Sequence, residues 1–365
     1  HMRMSGRVTL AIAAVALVAA GCGSSKKAAS TATTAASSPA GKVGVILPDT
    51  KSSKRWETND RPLLEAAFKA AGVAYDIQNA EGDKAKMATI ADQMLTGGVK
   101  VLMIVNLDSP SGAAIETKAA AAGVKTIDYD RLTLGGSASV YISFDNVMVG
   151  TLQGQGLVKC ITDKGVKNPA IAVLNGSPTD NNATLFASGY DAVIKPKFDS
   201  KEWTLVDDQS VPDWDNQKGG QIFEQMLTKA GGKIDGVLAA NDGLGGAAIA
   251  VLKKNNLQVP VTGQDATTSG LQAILAGDQC MTVYKAIKKE ADAASAAAIA
   301  LAKGQAPQTT GTVKDTQANK DVPAVLAVPV AIYKANVKDV VTDGFVTSAD
   351  LCAGFTAQCT AAGIS

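Results

Sequence analysis

Carboxylates, amides, cationic side chains and indoles recur in short clusters along this sequence, and most of these clusters follow an apolar run. Lys54-Arg55-Trp56 comes after Val43–Leu47, Asp130-Arg131 after residues 124–129, and Asp180-Asn181-Asn182 after residues 171–174. Trp214 sits in Val211-Pro212-Asp213-Trp214-Asp215. Asn241-Asp242 follows residues 237–240, Gln264-Asp265 follows residues 261–263, and Lys285 closes Met281–Tyr284. Asp and Asn oxygens accept hydrogen bonds from hydroxyls, Arg, Lys and Asn amides donate them, and a charged partner strengthens the bond. An indole covers apolar C–H groups by dispersion and burial. A small cyclic polyol, with hydroxyls around its rim and C–H faces, is the ligand this set of groups fits. A paired Asp and Arg also lock each other, which reduces the ordering cost of binding.

Each cluster has an ordinary structural reading beside the chemical one. Asp130-Arg131 could be a loop ion pair, and Asn241-Asp242-Gly243 a turn or helix N-cap. Asp180 could cap the helix that starts nearby, Trp56 and Trp214 could be core, and Lys285 could be solvated. What favours chemistry is their repetition at matching places in both halves of the chain.

Those places are set by a regular alternation. Strand-like runs fall at Val43–Leu47 and residues 99–105, 124–129 and 140–144; helical spacing covers residues 61–71, 85–95 and 113–122. A second series has strands near 171–174, 204–206, 237–239 and 261–263, with helices at 151–161, 184–194, 217–230, 246–254 and 269–276. An Ala-rich helix at 286–303 and a last strand near 325–332 follow. Alternating strands and helices imply parallel, doubly wound sheets, here two α/β lobes in tandem. In such sheets ligands bind beyond the carboxyl ends of the strands, where the polar clusters lie.

Composition removes several alternatives. The 365 residues exceed what one compact core usually holds, about 250–300 residues, so two domains are expected. Lys+Arg 35 against Asp+Glu 34 gives a net charge of +1, with no basic surplus for nucleic acid. The single His is His1, and His1-Met2 reads as a cloning scar. Histidine acid/base catalysis, His-ligated metals and Ser-His-Asp triads are therefore not expected. No Gly-x4-Gly-Lys-Ser/Thr loop is present, so ATP hydrolysis is not expected of this chain. No cofactor or metal is called for.

Arg3 and Arg7 precede the apolar run 8–20, which ends in Ala19-Ala20-Gly21-Cys22. This reads as a signal peptide over residues 1–22; the run is short of the roughly 20 apolar residues that span a bilayer. Gly21-Cys22 resembles a bacterial lipobox, with Cys22 as the lipidated residue. Residues 23–41 are rich in Ser, Ala and Thr and read as a flexible tether. The protein is then expected outside the cytoplasm, held to the membrane only by lipid. Among the other cysteines, the short Gly-containing loop favours Cys352 with Cys359, which leaves Cys160 with Cys280.

Longer stretches carry a family resemblance. Lys54-Arg55-Trp56, Tyr129-Asp130-Arg131, Tyr141-Ile142-Ser143-Phe144-Asp145-Asn146 and Gly176-Ser177-Pro178-Thr179-Asp180-Asn181-Asn182-Ala183 form the first set. Asn241-Asp242, Gly263-Gln264-Asp265-Ala266, Met281-Thr282-Val283-Tyr284-Lys285 and Lys320-Asp321-Val322-Pro323 form the second. With these the chain resembles the bacterial xylose-binding proteins, sugar-binding subunits of ABC importers within the ribose-binding-like, type I group of periplasmic binding proteins.

The resemblance implies two Rossmann-like lobes joined by a three-stranded hinge: residues 42–144 plus 286–327, and 145–285 plus 328–345, with 346–365 as an added tail. It implies a monosaccharide, D-xylose foremost, held by Arg55, Trp56, Asp130 and Arg131 from one lobe and Asp180, Asn182, Trp214, Asn241 and Asp265 from the other. Lys285 would lie beside the hinge, Phe144, Asp145 and Asn146 would form its first crossing, and the two indoles would sandwich the sugar ring. The implied partner is a membrane permease with a separate ATPase, and the protein itself is expected to be a monomer. Residues 50–53 depart from the family's charged stretch, which bears on which aldose fits. Rival readings are a sugar-sensing ectodomain, a transcription repressor, which would need a DNA-binding module where the signal stands, and a glycosidase built on Asp130, Asp180 and Asp265.

Overall fold

The computed structural model describes residues 41–364; the expected signal peptide, Cys22 and all but the last residue of the expected tether lie outside the described residues. The first lobe is built on β1 (Val43–Leu47), β2 (Tyr75–Asn79), β3 (Val101–Ile104), β4 (Lys125–Tyr129) and β5 (Val140–Phe144). These strands pair in parallel in the order β2-β1-β3-β4-β5. The runs in β1, β3 and β5 are wholly buried because helices cover both faces of the sheet. Those helices are α1 (Arg61–Ala70), α2 (Lys84–Thr96) and α3 (Ser109–Ala121). Leu64 and Phe68 pack against one face, and Met87, Ile90 and Ile115 against the other.

The second lobe repeats the plan. It uses β6 (Ala170–Asn175), β7 (Thr204–Ser210), β8 (Gly236–Ala239) and β9 (Met281–Tyr284), with α4 (Asn146–Asp163), α5 (Asn181–Asp199), α6 (Asn216–Lys229), α7 (Asp242–Lys254) and α8 (Thr268–Ala276) around them. The order β7-β6-β8 is extended by a parallel bridge from Val237 to Val261, which in turn accepts from Cys280 N at 2.9 Å. Residues 261–263, expected as a strand, thus reduce to a single bridge. Helices α4 and α5 cross with their backbones in contact: a Cβ at Gly150 would strike the carbonyl of Phe186, and one at Gly189 the carbonyl of Val147. That close approach carries the start of α5 to the interface between the lobes.

The chain passes between the sheets three times. It leaves β5 at Asp145, leaves β9 at Lys285-Ala286 to form α9 (Ile287–Ala302), and crosses again at Val328-Pro329. Before that last crossing come β10 (Gly311–Asp315) and β11 (Lys320–Ala327), a hairpin on the edge of the first sheet; after it comes β12 (Val330–Tyr333), antiparallel to β9. Ala327 pairs with Phe144 and Val330 with Tyr284, so the apolar run near 325–332 is two strands in two sheets rather than one. Pro329 lacks the N–H that would continue the ladder. Strands β2 and β10 have no apolar run and were not expected; they are edge strands, β2 half-buried and β10 mostly exposed.

Residues 346–364 are folded into the second lobe. After α10 (Val337–Thr342), the short helices α11 (Ser348–Cys352) and α12 (Thr356–Ala361) bring Leu351, Cys359 and Ile364 into a core with Leu271, Ile274 and Val340. Cys352 is bonded to Cys359 across that turn, and Cys160 of α4 to Cys280 at the start of β9.

Candidate functional site

The ten side chains singled out from the sequence, Arg55, Trp56, Asp130, Arg131, Asp180, Asn182, Trp214, Asn241, Asp265 and Lys285, all line one cavity between the lobes. Each is at most 8% exposed. Burial of so many polar groups is costly unless they are paired or meet a polar partner, so the pairing is informative.

Arg55 lies in a wide helical turn that follows the loop after β1. Three carboxyl groups surround its guanidinium. Nε and Nη2 fork onto Asp60 at 2.9 and 2.8 Å, Nη1 donates to Asp130 Oδ2 at 2.9 Å, and Nη2 donates to Glu290 Oε2 at 2.6 Å. Burial alone would lower its pKa, but Asp60, Glu290 and Asp130 together raise it well above the usual value, so the charge is locked in. Tyr129 donates its hydroxyl to Asp60 at 2.6 Å, and Arg55 covers Trp56 with Cζ 4.2 Å from the ring centre. Burial pushes the Glu290 carboxyl well above its ordinary range, with Asp130 and Asp60 adding to the shift. Arg55 and Lys285 oppose that shift.

Asp130 is the point where the two lobes meet. Its φ is +64°, a left-handed conformation that costs a non-glycine residue on the order of 1–3 kcal/mol unless its surroundings impose it. Its carbonyl accepts from Ser143 Oγ at 2.7 Å, Tyr141 OH at 3.0 Å and Asn182 Nδ2 at 3.1 Å. Asn182 Nδ2 also reaches its carboxylate at 3.0 Å, and Lys285 Nζ lies 3.9 Å away. Burial would raise this carboxyl, but Lys285, Arg55 and Arg131 outweigh it and hold it below the usual range. It is an anion with oxygens to spare for hydroxyls.

The opposite wall is assembled from helix starts. Asp180 caps α5 through Asn182 N at 2.9 Å, and its other oxygen accepts from Trp214 Nε1 at 3.0 Å. Arg131 reaches across from the first lobe with Nε 3.1 Å from that same oxygen. Asn241 caps α7 with Oδ1, accepting from Leu244 N at 2.8 Å, which leaves its Nδ2 to donate elsewhere. The N-cap reading holds, and the same residue lines the cavity. Trp214 has φ +56° directly after Asp213 at +59°, and Gly176 gives its indole room: a Cβ there would lie inside the ring. Asp265, φ +98°, sits 3.4 Å from Lys285 Nζ. Three cavity residues thus keep unfavourable backbone that neighbouring contacts hold in place.

Around the crossings, Phe144 packs 5.7 Å from Lys285 Nζ, Asp145 caps α4 through Met148 N at 2.9 Å, and Asn146 donates to Asn182 Oδ1 at 2.9 Å. The cavity also includes Ser52, Ser53, Phe186 and Gln264, which were not among the expected contacts. Phe186 stands one helical turn beyond Asn182 and was accessible from that spacing. Gln264 was adjacent to Asp265; its buried Oε1 has no partner among the described residues. The two serines fall in the stretch 50–53, whose departure from the family's charged sequence bears on ligand choice.

The comparisons agree with this geometry. Residues 43–306 match the periplasmic binding protein domain family. The D-xylose-binding periplasmic protein of Escherichia coli is 35% identical over 85% of this chain and 92% of its own length. That of Haemophilus influenzae is 33% identical over 84% and 90%. Among solved structures, a carbohydrate transporter solute-binding protein from Chloroflexus aurantiacus, in complex with D-glucose, has a TM-score of 0.77 at 29% identity, covering 84% of this chain and 97% of that one. Two lobes of like topology, three crossings and a buried polar cavity between them place this chain in the periplasmic binding protein family.

Proposed function

We propose that this protein is the extracytoplasmic sugar-binding component of an ABC importer, that it clamps one monosaccharide, D-xylose foremost, and that it delivers it to a permease driven by a separate ATPase. The observation that carries this reading is the single cavity into which all ten residues face, with donors and acceptors of both charge signs and two indoles. The residues are too buried for a ligand to enter as they stand, so the lobes must part first. Contacts between Asn182 and Asp130, and between Arg131 and Asp180, span the lobes, and a sugar touching both walls adds differential affinity for the closed form. The protein binds and releases sugar unchanged: Asp130 and Asp180 are both tied to arginines rather than placed as an acid and nucleophile pair. We also assign Cys22 as a lipid anchor and the protein as a monomer.

D-Glucose is the second reading, favoured by the sugar held in the Chloroflexus structure. The two aldoses differ by one exocyclic CH2OH, so the choice turns on whether one corner of the cavity is open. A thermal-shift panel of pentoses and hexoses, followed by calorimetry, tests both, because a ligand specific for the native state raises the melting temperature. Xylose should give the largest shift. No shift with xylose, glucose, ribose, arabinose or galactose would overturn the assignment.

A further inference from the structure

A second, wider space of about 650 Å3 adjoins the cavity and shares Ser52, Ser53, Arg55, Asn241 and Asp265 with it. It opens to solvent past exposed Thr50, Ser269 and Thr347, so it is a groove leading from the buried site to the surface. Three features give it the character of a binding surface. Away from the shared residues its wall is mostly neutral hydroxyls and amides, the groups that exchange hydrogen bonds with a polyol. Asn241 stands at the junction with its Oδ1 spent on Leu244 N, and no acceptor among the described residues takes its Nδ2. Phe345 stands half-buried in the wall, braced against Tyr284 at 5.2 Å between ring centres. A braced, partly exposed aromatic ring is a platform for a sugar's C–H face. Residues 345–350, where the chain runs into its C-terminal helices, build this side of the groove.

We propose that the groove is a second saccharide subsite, so that the protein accepts a disaccharide or glycoside whose first ring fills the closed cavity while the attached unit lies against Phe345. The inference rests on the reading of the cavity as a monosaccharide site and extends it. Hydroxyls and amides outnumber the charged Lys51, Lys54 and Asp350 in the wall, which argues for an uncharged sugar unit as the attached group.

The test is calorimetry on the full chain with D-xylose and with 1,4-linked xylobiose. Its linkage leaves one ring through C1 and the other through O4, so either exit from the cavity is probed. The expected result is one-to-one binding of xylobiose in competition with xylose, with a Kd within tenfold of the monosaccharide's. Phe345→Ala should weaken xylobiose at least tenfold and xylose less than twofold. Ser269→Trp, an exposed position in the first turn of α8, should obstruct the groove and give the same split even if Phe345→Ala folds poorly. Xylose binding without displacement by millimolar xylobiose would overturn the subsite while leaving the monosaccharide reading intact. So would a Ser269→Trp protein that binds both sugars unchanged. Failure of every saccharide to bind would remove both readings.

Discussion

Gly176→Ala is the sharpest single probe of the cavity, because it adds one methyl group at a residue outside the cavity lining. The added Cβ would fall inside the six-membered ring of Trp214. The indole has little room to retreat: Nε1 is bound to Asp180 at 3.0 Å, Phe186 meets it edge-on at 6.3 Å, and its backbone φ is already +56°. The ring must shift, which strains the hydrogen bond to a charged acceptor, worth about 1.5–3 kcal/mol, and spoils an aromatic contact worth about 0.5–1.5 kcal/mol. Those contacts exist without sugar, so their loss falls on fold stability, while a displaced indole no longer covers the sugar's C–H face and should weaken Kd at least tenfold, about 1.4 kcal/mol. Overpacking should cost a further 1–3 kcal/mol, roughly, of fold stability. Gly246→Ala is the control: no atom lies within 4 Å of a Cβ there, it sits inside α7, and helix propensity favours alanine by about 1 kcal/mol. Calorimetry with D-xylose and a urea melt on both variants give the result. If Gly176→Ala binds within twofold of the parent protein, the indole is not held where this reasoning needs it.

Three further outcomes are expected. Burial pushes the Asp242 carboxyl up to about 7, against its hydrogen bonds from Gln279 and Thr282. A carboxyl with a raised folded-state pKa stabilises fully only below its unfolded value and loses that contribution as pH climbs through 7. The gap from 3.8 is worth on the order of 4 kcal/mol. Burial shifts Asp128 and Glu290 the same way, so the urea midpoint should fall between pH 5 and 8, and a rising midpoint would refute this. Glu290→Gln should keep sugar affinity within threefold, since an amide oxygen can still accept the single bond from Arg55 Nη2, whereas Asp60→Asn should weaken it more than tenfold by breaking the two-bond fork on Arg55; calorimetry showing equal effects would contradict this division. Replacing Cys160 and Cys280 by Ser should destabilise more than the same change at Cys352 and Cys359, about 5 against about 2 kcal/mol from loop entropy, because the first closes 120 residues and the second 7; chemical denaturation reads both.

Local pattern determined a good deal of this protein by itself. Apolar runs of strand length at regular intervals specify parallel strands covered on both faces, and polar clusters after those runs specify where a ligand would lie, because a doubly wound sheet offers its binding groups at strand ends. Trp56, Asp130, Trp214 and Asp265 were legible on that ground. Tertiary structure decided what links residues distant in the chain. That Glu290, 235 residues from Arg55, completes its ring of carboxyls depends on α9 returning to the first lobe. That Asn241 both caps a helix and faces the cavity depends on the direction its amide takes in three dimensions. Edge strands β2 and β10, exposed on one side, carry no apolar period to read. The same holds for residues 346–364, whose few buried side chains gain a core only by packing on α8. Periodicity reports how a segment meets its nearest surroundings; which distant segment supplies those surroundings is settled only when the sheets close around each other.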